Sequence, residues 1–296
     1  MSQNINSTSF AVEQESCLIK TLARFDIVFF IIAAYISLDT IGTIAAGGTQ
    51  ALFWAAVIVI TFMLPNAFMM AETGSAFPEE GGPYQWVKFA FGRPLASIAA
   101  VLYWITNPLW LGGSLCFIAF EAFNSYVHKS NAGGAGEWLF KFAFIWISIG
   151  LAIISLKFGK KIINWAAIAK LFVLGIFVIT TAIYGIKNGF QPFDFKGMAP
   201  SISGFMAVAP IILFSYVGFE APNAASGEML DPKKDTAPAI RVGSIISALA
   251  YILPVLSILL VLPKKNVQGL EGYMSAVAQV FSVYGSFAKP LLTISA

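Results

Sequence analysis

Residues 37–43, which read Ser37-Leu38-Asp39-Thr40-Ile41-Gly42-Thr43, interrupt an otherwise apolar run of the chain, 25–46, with polar and small side chains. A helix needs about 20 apolar residues to cross the hydrocarbon of a bilayer, so the run predicts a membrane span. A carboxylate in the middle of a span costs at least about 2.5 kcal/mol on insertion scales. Asp39 therefore predicts that the helix faces a cavity or a partner at this point.

The composition of the whole chain agrees with a membrane protein. Of 296 residues, 58% are hydrophobic and only 11% are charged, whereas a soluble globular domain is about a quarter charged. These values exclude a soluble enzyme, and the net charge of +3 with high hydrophobicity excludes a disordered chain. The 18 basic residues form no stripe or tail, so nucleic acid is not a predicted partner.

No metal site, cofactor or catalytic group is predicted. His128 is the single histidine of the chain and stands alone in a connection, whereas zinc needs clustered ligands. Glu79 and Glu80 have no nucleophile or metal ligand near them in the sequence and are interpreted as solvated.

Seven complete apolar segments predict an all-α integral membrane protein, with a truncated eighth segment that opens near Ser286 and stops at Ala296. The eighth segment is too short to cross, which predicts that the chain is a fragment of a longer protein. Barrel strands are half as long and alternate in polarity, so helices are expected. The spans are 25–46, 51–71, 95–120, 138–156, 162–186, 204–225 and 242–262, and their five charged residues are Asp26, Asp39, Lys141, Lys170 and Glu220.

The positive-inside rule favours a cytoplasmic N-terminus, because ten Lys and Arg residues then lie inside and seven outside. Three of the ten, Lys157, Lys160 and Lys161, crowd one short connection. The chain is thus divided into a cytoplasmic tail, 1–24, and a transmembrane domain, 25–296, in the cell membrane. Residues 275–283 are expected to form a short amphipathic external piece.

The sixth span contains a second interruption, Phe214-Ser215-Tyr216-Val217-Gly218-Phe219-Glu220. Because the two interruptions lie in the first and sixth spans, five positions apart in the order of spans, the helices that carry them run in opposite directions, as in an inverted repeat of 25–186 and an incomplete 204–296. Paired interruptions of this kind predict a substrate site, since broken helices expose N–H and C=O groups that can hold a zwitterion. Small residues are also common where membrane helices simply pack closely.

Two motifs resemble the amino acid, polyamine and organocation permease superfamily, which has the leucine-transporter fold. The first is Pro78-Glu79-Glu80-Gly81-Gly82-Pro83-Tyr84-Gln85-Trp86, after the second span. The second is the sixth-span interruption followed by Gly227-Glu228 and Asp231-Pro232-Lys233-Lys234. The superfamily usually carries a Gly-x-Gly core in its first interrupted helix, and here Thr40-Ile41-Gly42 keeps only the second glycine.

The resemblance implies a secondary transporter of an amino acid or small amine, working by alternating access with proton coupling or exchange. It implies a substrate site and proton-coupling residues, and it places Phe214 as a gating aromatic. Asp39 would contact the amino group of the substrate or a second cationic group on a polyamine. The substrate-site residues would be Ser37, Asp39, Thr40, Ile41, Gly42, Phe214, Ser215 and Gly218, and the coupling residues Lys170 and Glu220.

Both coupling residues also have ordinary explanations. Lys170 could snorkel to the headgroups, but a buried lysine is easily deprotonated, and several proton-coupled relatives carry a lysine where sodium-coupled members bind sodium. Glu220 could be a helix N-terminal acid stabilised by the helix dipole. Tyr103, with Asn107-Pro108 nearby, is interpreted as structural.

Three other functions are compatible with a helical membrane protein. A polyamine or organic-cation transporter of the same fold is the main alternative. A channel subunit is disfavoured because polar residues concentrate at two helix breaks and not along a pore. A membrane-embedded enzyme would show clustered His, Asp or Ser groups, which the sequence lacks.

Overall fold

The computed structural model describes residues 18–126, 128–129, 133–153, 156–263, 267 and 269–287. Most of the predicted N-terminal tail and most of the eighth apolar segment lie outside these residues. The described part of the chain is helical, and its one β contact is an isolated bridge between Leu22 and Met229.

The first apolar run forms two helices, α1 and α2, whose axes differ by 49°. The second run forms a continuous helix, α3, that passes through one π-helical turn. A short helix, α4, precedes α5, which also continues through a π turn. Their bounds are Arg24–Tyr35 for α1, Leu38–Ala46 for α2, Gly48–Ala76 for α3 and Pro83–Phe91 for α4; α5 comprises Arg93–Trp110, the π turn Leu111–Leu115 and Cys116–Tyr126.

The remaining helices follow the same order as the predicted spans. They are α6 (Ala135–Ile153), α7 (Leu156–Asn188), α8 (Ile202–Ser215), α9 (Ala221–Ala224), α10 (Pro232–Val261) and α11 (Gly269–Phe281). Short 3₁₀ turns lie at Lys196–Met198, Ser226–Glu228 and Ser282–Phe287. The predicted connection at 157–161 is wrong, because those residues extend α7 by more than a turn.

Local sequence explains where several helices begin. Ser201 caps α8 by accepting the N–H of Gly204 at 3.0 Å, and Asp231 caps α10 by accepting that of Lys234 at 3.2 Å. Proline occupies the first turn of α4, α5 and α10, where its missing N–H leaves no bond unmade.

Four described helices are long and apolar enough to cross a membrane, and the α1–α2 pair would make a fifth. The helix α8, with 14 residues, is apolar but shorter. The structure therefore confirms an all-helical protein with several apolar helices. The count of seven spans and the inverted repeat stay predictions.

The core surrounds the first broken helix. The helices α7 and α10 pack on α1, α11 packs on α2, and α8 packs on the first half of α3. Half of the most apolar part of α10 is buried within the described protein, but only 6% of the most apolar part of α5 is buried. The broken pair is thus central and α5 is peripheral.

Candidate functional site

The first break lies at Ile36 and Ser37, at the start of the polar stretch 37–43. Both residues have extended backbones, so the helical bonding of α1 stops and that of α2 begins anew at Leu38. The sequence correctly predicted an interruption here. Thr40, Ile41 and Gly42, however, are buried within the first turns of α2 and are helical.

Lys170 fills the open end of α1. Its Nζ donates to the carbonyl oxygens of Ala33 at 2.7 Å and Ile36 at 2.8 Å, two acceptors that the break leaves without helical donors. The ammonium also interacts electrostatically with Asp39 at the start of α2. Lys170 therefore binds to the break itself.

Tyr251 of α10 contacts the same break from another side. Its hydroxyl donates to the carbonyl oxygen of Tyr35 at 2.8 Å and accepts the N–H of Ser37 at 3.2 Å. Thr40 Oγ1 lies 3.3 Å from the hydroxyl, and the Ser215 hydroxyl is within hydrogen-bonding reach of it. Sequence reasoning missed Tyr251, because a tyrosine in an apolar helix carries no signal of its partners.

The start of α2 carries its own negative charge. Ser37 Oγ donates to Asp39 Oδ1 at 2.5 Å, and Thr40 Oγ1 donates to the carbonyl oxygen of Ser37 at 2.8 Å. A carboxylate in the first turn is stabilised by the positive end of the helix dipole. The arrangement presents one carboxylate and several hydroxyl oxygens beside the break.

The second break follows α8, which ends at Ser215. Gly218 has φ of +128°, a conformation that side-chain-bearing residues rarely adopt, and Glu220 is the N-cap of the four-residue helix α9. The Ser215 hydroxyl donates to the carbonyl oxygen of Ile211 at 2.7 Å. The predicted interruption at 214–220 therefore corresponds to a real loss of helix.

Aromatic rings join the two breaks. The rings of Tyr35 and Phe219 stack with centroids 4.3 Å apart, and a Cβ added to Gly218 would lie 3.4 Å from the Tyr35 ring. Tyr216 and Tyr251 meet edge to face at 5.6 Å. The structure thus brings together the two interruptions that the sequence separates by about 180 residues.

Three other predicted site residues, Glu220, Phe214 and Ile41, have different surroundings. Glu220 interacts electrostatically with Tyr35, and its carboxylate lies within hydrogen-bonding reach of the Tyr103 hydroxyl, which the sequence analysis interpreted as structural. Phe214 is 55% exposed and makes no ring contact within the part of the chain that the structure describes. Ile41 is fully buried in the core.

A second network joins the two motif regions at one end of the molecule. Glu80 Oε2 accepts the N–H of Gly227 at 2.5 Å, and Gly81 donates its N–H to the carbonyl oxygen of Ala224 at 3.3 Å. Thr21 and Leu22 donate their N–H groups to the carbonyl oxygen of Glu228 at 2.9 and 3.0 Å. Burial raises the pKa of the Glu228 carboxyl above its usual value.

Ion pairs strengthen this end. Arg24 binds Asp235 at 2.8 Å, and Asp26 accepts from Lys160 at 3.2 Å and from Asn164 at 2.6 Å. No group of three or more His, Cys, Asp or Glu side chains suited to a metal occurs among the described residues.

Discontinuous apolar helices whose breaks meet in the core are a feature of many helical membrane transporters. The match to a family model described as "Amino acid permease" covers residues 22–295. The chain therefore belongs to the amino acid permease family of the amino acid, polyamine and organocation superfamily.

Three curated relatives indicate the breadth of this family. A probable agmatine/putrescine antiporter of Lactococcus lactis is 23% identical over 85% of this chain and 54% of its own length. A branched-chain amino acid permease of Bacillus subtilis is 24% identical over 94% of this chain and 62% of its own length. A probable polyamine transporter of Arabidopsis thaliana is 24% identical over 79% of this chain and 46% of its own length. The chain thus spans about half to three fifths of the length of these three relatives.

Proposed function

We propose that the chain forms the substrate-binding part of a secondary active transporter that moves an amino acid or small amine across the cell membrane by alternating access. The observation that carries this proposal is the contact between the two breaks, through the Tyr35–Phe219 stack and the Tyr251 hydroxyl. Both breaks interrupt helical hydrogen bonding in the core, where a small charged solute needs polar partners.

Lys170 and Asp39 supply a coupling mechanism. While Lys170 is protonated, its ammonium balances the Asp39 carboxylate, with which it interacts. When Lys170 loses its proton, the Asp39 charge is uncompensated and attracts the ammonium group of a substrate. Protonation of Lys170 then restores the internal pair and favours release, which suits proton coupling or exchange.

Glu220 is the second coupling residue in this proposal. It stands at the start of α9, near Tyr35 and Tyr103, so a change in its protonation alters contacts at the second break. The two acids lie on different breaks, Asp39 after the first and Glu220 after the second.

A cationic amine is the substrate class that Asp39 favours. An amino acid would bring its own carboxylate to the start of α2, where the carboxylate of Asp39 already lies. Two carboxylates that share a site repel each other. A diamine has no such group and offers two ammonium groups to two carboxylates. The Lactococcus lactis relative, a probable agmatine/putrescine antiporter, agrees with this class.

The orientation follows from charge. Residues 18–24, the 77–83 connection and the 225–235 segment share hydrogen bonds, so they lie at one end of the molecule. This end carries the excess of Lys and Arg and is assigned to the cytoplasm.

Uptake by proteoliposomes of the full-length permease tests the proposal. Radiolabelled amino acids and their decarboxylated amines are compared, with and without an imposed pH gradient. Saturable uptake with counterflow supports the transporter, whereas single-channel currents without saturation contradict it. Preference for an amine over its parent amino acid, lost in Asp39→Asn, supports the cationic class.

A further inference from the structure

The corner between α4 and α5 presents two basic side chains beside exposed aromatic rings. Lys88 lies in the last turn of α4 and Arg93 begins α5, on either side of a glycine turn at Gly92, whose φ is +85°. Phe89 and Phe91, in the same turn of α4, are 54% and 69% exposed.

Neither cation has an acidic partner among the described residues. Lys88 Nζ hydrogen-bonds with Gln85 Oε1 at 3.2 Å and lies about 6 Å from the rings of Tyr84 and Phe89. Arg93 is exposed and has no side-chain partner in the part of the chain that the structure describes. The corner therefore carries two positive charges that the described protein does not balance.

A shallow apolar groove begins one turn beyond Arg93 on α5. It measures about 300 Å³ and is lined by Ser97, Ile98, Val101 and Leu102. At 1.5 Å per residue, the lining lies roughly 6 to 14 Å from Arg93 along the helix. This is the separation between the phosphate of a phospholipid and the first half of its acyl chains, given a hydrocarbon core about 30 Å thick.

In the proposed orientation, the α4–α5 corner lies on the side of the membrane where anionic lipids are abundant. The connection that leads into α4 is bonded to the 224–227 segment, at the end that the proposed orientation assigns to the cytoplasm. The cytoplasmic leaflet is rich in anionic lipid, which attracts juxtamembrane Lys and Arg. Aromatic rings at the interface favour the boundary between headgroups and acyl chains.

We propose that the α4–α5 corner is a binding site for an anionic phospholipid. Its phosphate lies between Lys88 and Arg93, and one acyl chain follows the groove at Ile98 and Val101. The inference concerns lipid binding alone and does not depend on which solute is transported.

Native mass spectrometry of the full-length permease, titrated with phosphatidylglycerol or phosphatidylcholine, tests the site. The wild type is expected to retain phosphatidylglycerol in preference to phosphatidylcholine. The double variant Lys88→Gln/Arg93→Gln is expected to bind it about 30-fold more weakly, because each basic residue near an anionic surface contributes about fivefold. The matched control is Lys161→Gln/Lys233→Gln, which removes two exposed charges from the same end.

A second variant separates the headgroup from the groove. Ile98→Trp keeps both charges but fills the groove, so the binding of phosphatidylglycerol is expected to fall. Glycerol phosphate has no acyl chain, so its binding is expected to be weak in the wild type and in every variant. Equal retention of the two lipids by the wild type, or an equal loss in the Lys161/Lys233 control, would overturn the proposal. A wild type that retains no phosphatidylglycerol would overturn it as well.

Discussion

Tyr35, the last residue of α1, stacks on Phe219 of the second break with ring centroids 4.3 Å apart and planes inclined by 29°. Each ring belongs to a segment where a helix has just stopped. The contact is therefore a direct link between the two discontinuous helices, and the position of one break constrains that of the other.

The hydroxyl of Tyr251 is expected to stabilise the first break. Tyr251→Phe keeps the ring but leaves the carbonyl of Tyr35 and the N–H of Ser37 without this partner, which should cost about 1–3 kcal/mol of unfolding free energy. Thermal melting in detergent measures the effect. Tyr273→Phe is the control, because that buried hydroxyl has no partner among the described residues; equal melting shifts for both variants would contradict the role given to Tyr251.

Gly218 is expected to tolerate no side chain. Its φ of +128° lies in a region that side chains disfavour, so Gly218→Ala should cost about 1–3 kcal/mol of stability and lower transport. Gly175→Ala on α7 is the matched control, since a Cβ there meets nothing within 4 Å. A Gly218→Ala permease with wild-type melting and uptake would show that the second break does not need this conformation.

Lys170→Ala is expected to abolish proton-driven uptake, because it removes the ammonium bound to Ala33 and Ile36 and leaves Asp39 unbalanced. Initial uptake rates across a range of external pH measure the loss. Lys161→Ala serves as control, being exposed on the same helix. Full pH-dependent uptake by the Lys170 variant would remove its proposed coupling role.

The ion pairs near the N-terminal segment are expected to differ in strength. Asp26 accepts from Ala23 N, Lys160 and Asn164, so Asp26→Ala should cost about 1–3 kcal/mol. Asp235→Ala breaks only the pair with Arg24, whose side chain is 44% exposed, and should cost at most about 1 kcal/mol. Melting of the two variants side by side decides this order, and the reverse order would contradict it.

The sequence predicted the helical membrane class and the two interruptions because both depend on local patterns. Long apolar runs specify helices in lipid, and polar residues such as Asp39 are costly enough there to mark an exception. Lys170 was singled out for the same reason. Its amino group binds carbonyl oxygens at the end of α1, and its coupling role stays a prediction.

Contacts between distant helices were harder to predict. Nothing in the sequence connects Tyr251 with Tyr35, or Tyr103 with Glu220, since each pair is brought together only by packing. The limits of the first break also depended on tertiary contacts. Lys170 and Tyr251 satisfy the carbonyls before Ser37, which moves the loss of helix ahead of Gly42.

Protection of introduced cysteines by substrate is the measurement that tests the central claim most directly. In a full-length permease without its native cysteines, Leu38→Cys reports on the first break, Val217→Cys on the second, and Ser97→Cys on the remote surface of α5. If the two breaks form one substrate site, a transported solute slows maleimide labelling of both break positions and leaves position 97 unchanged. Labelling that is unaffected at both breaks, under conditions where the same solute is transported, would contradict the account.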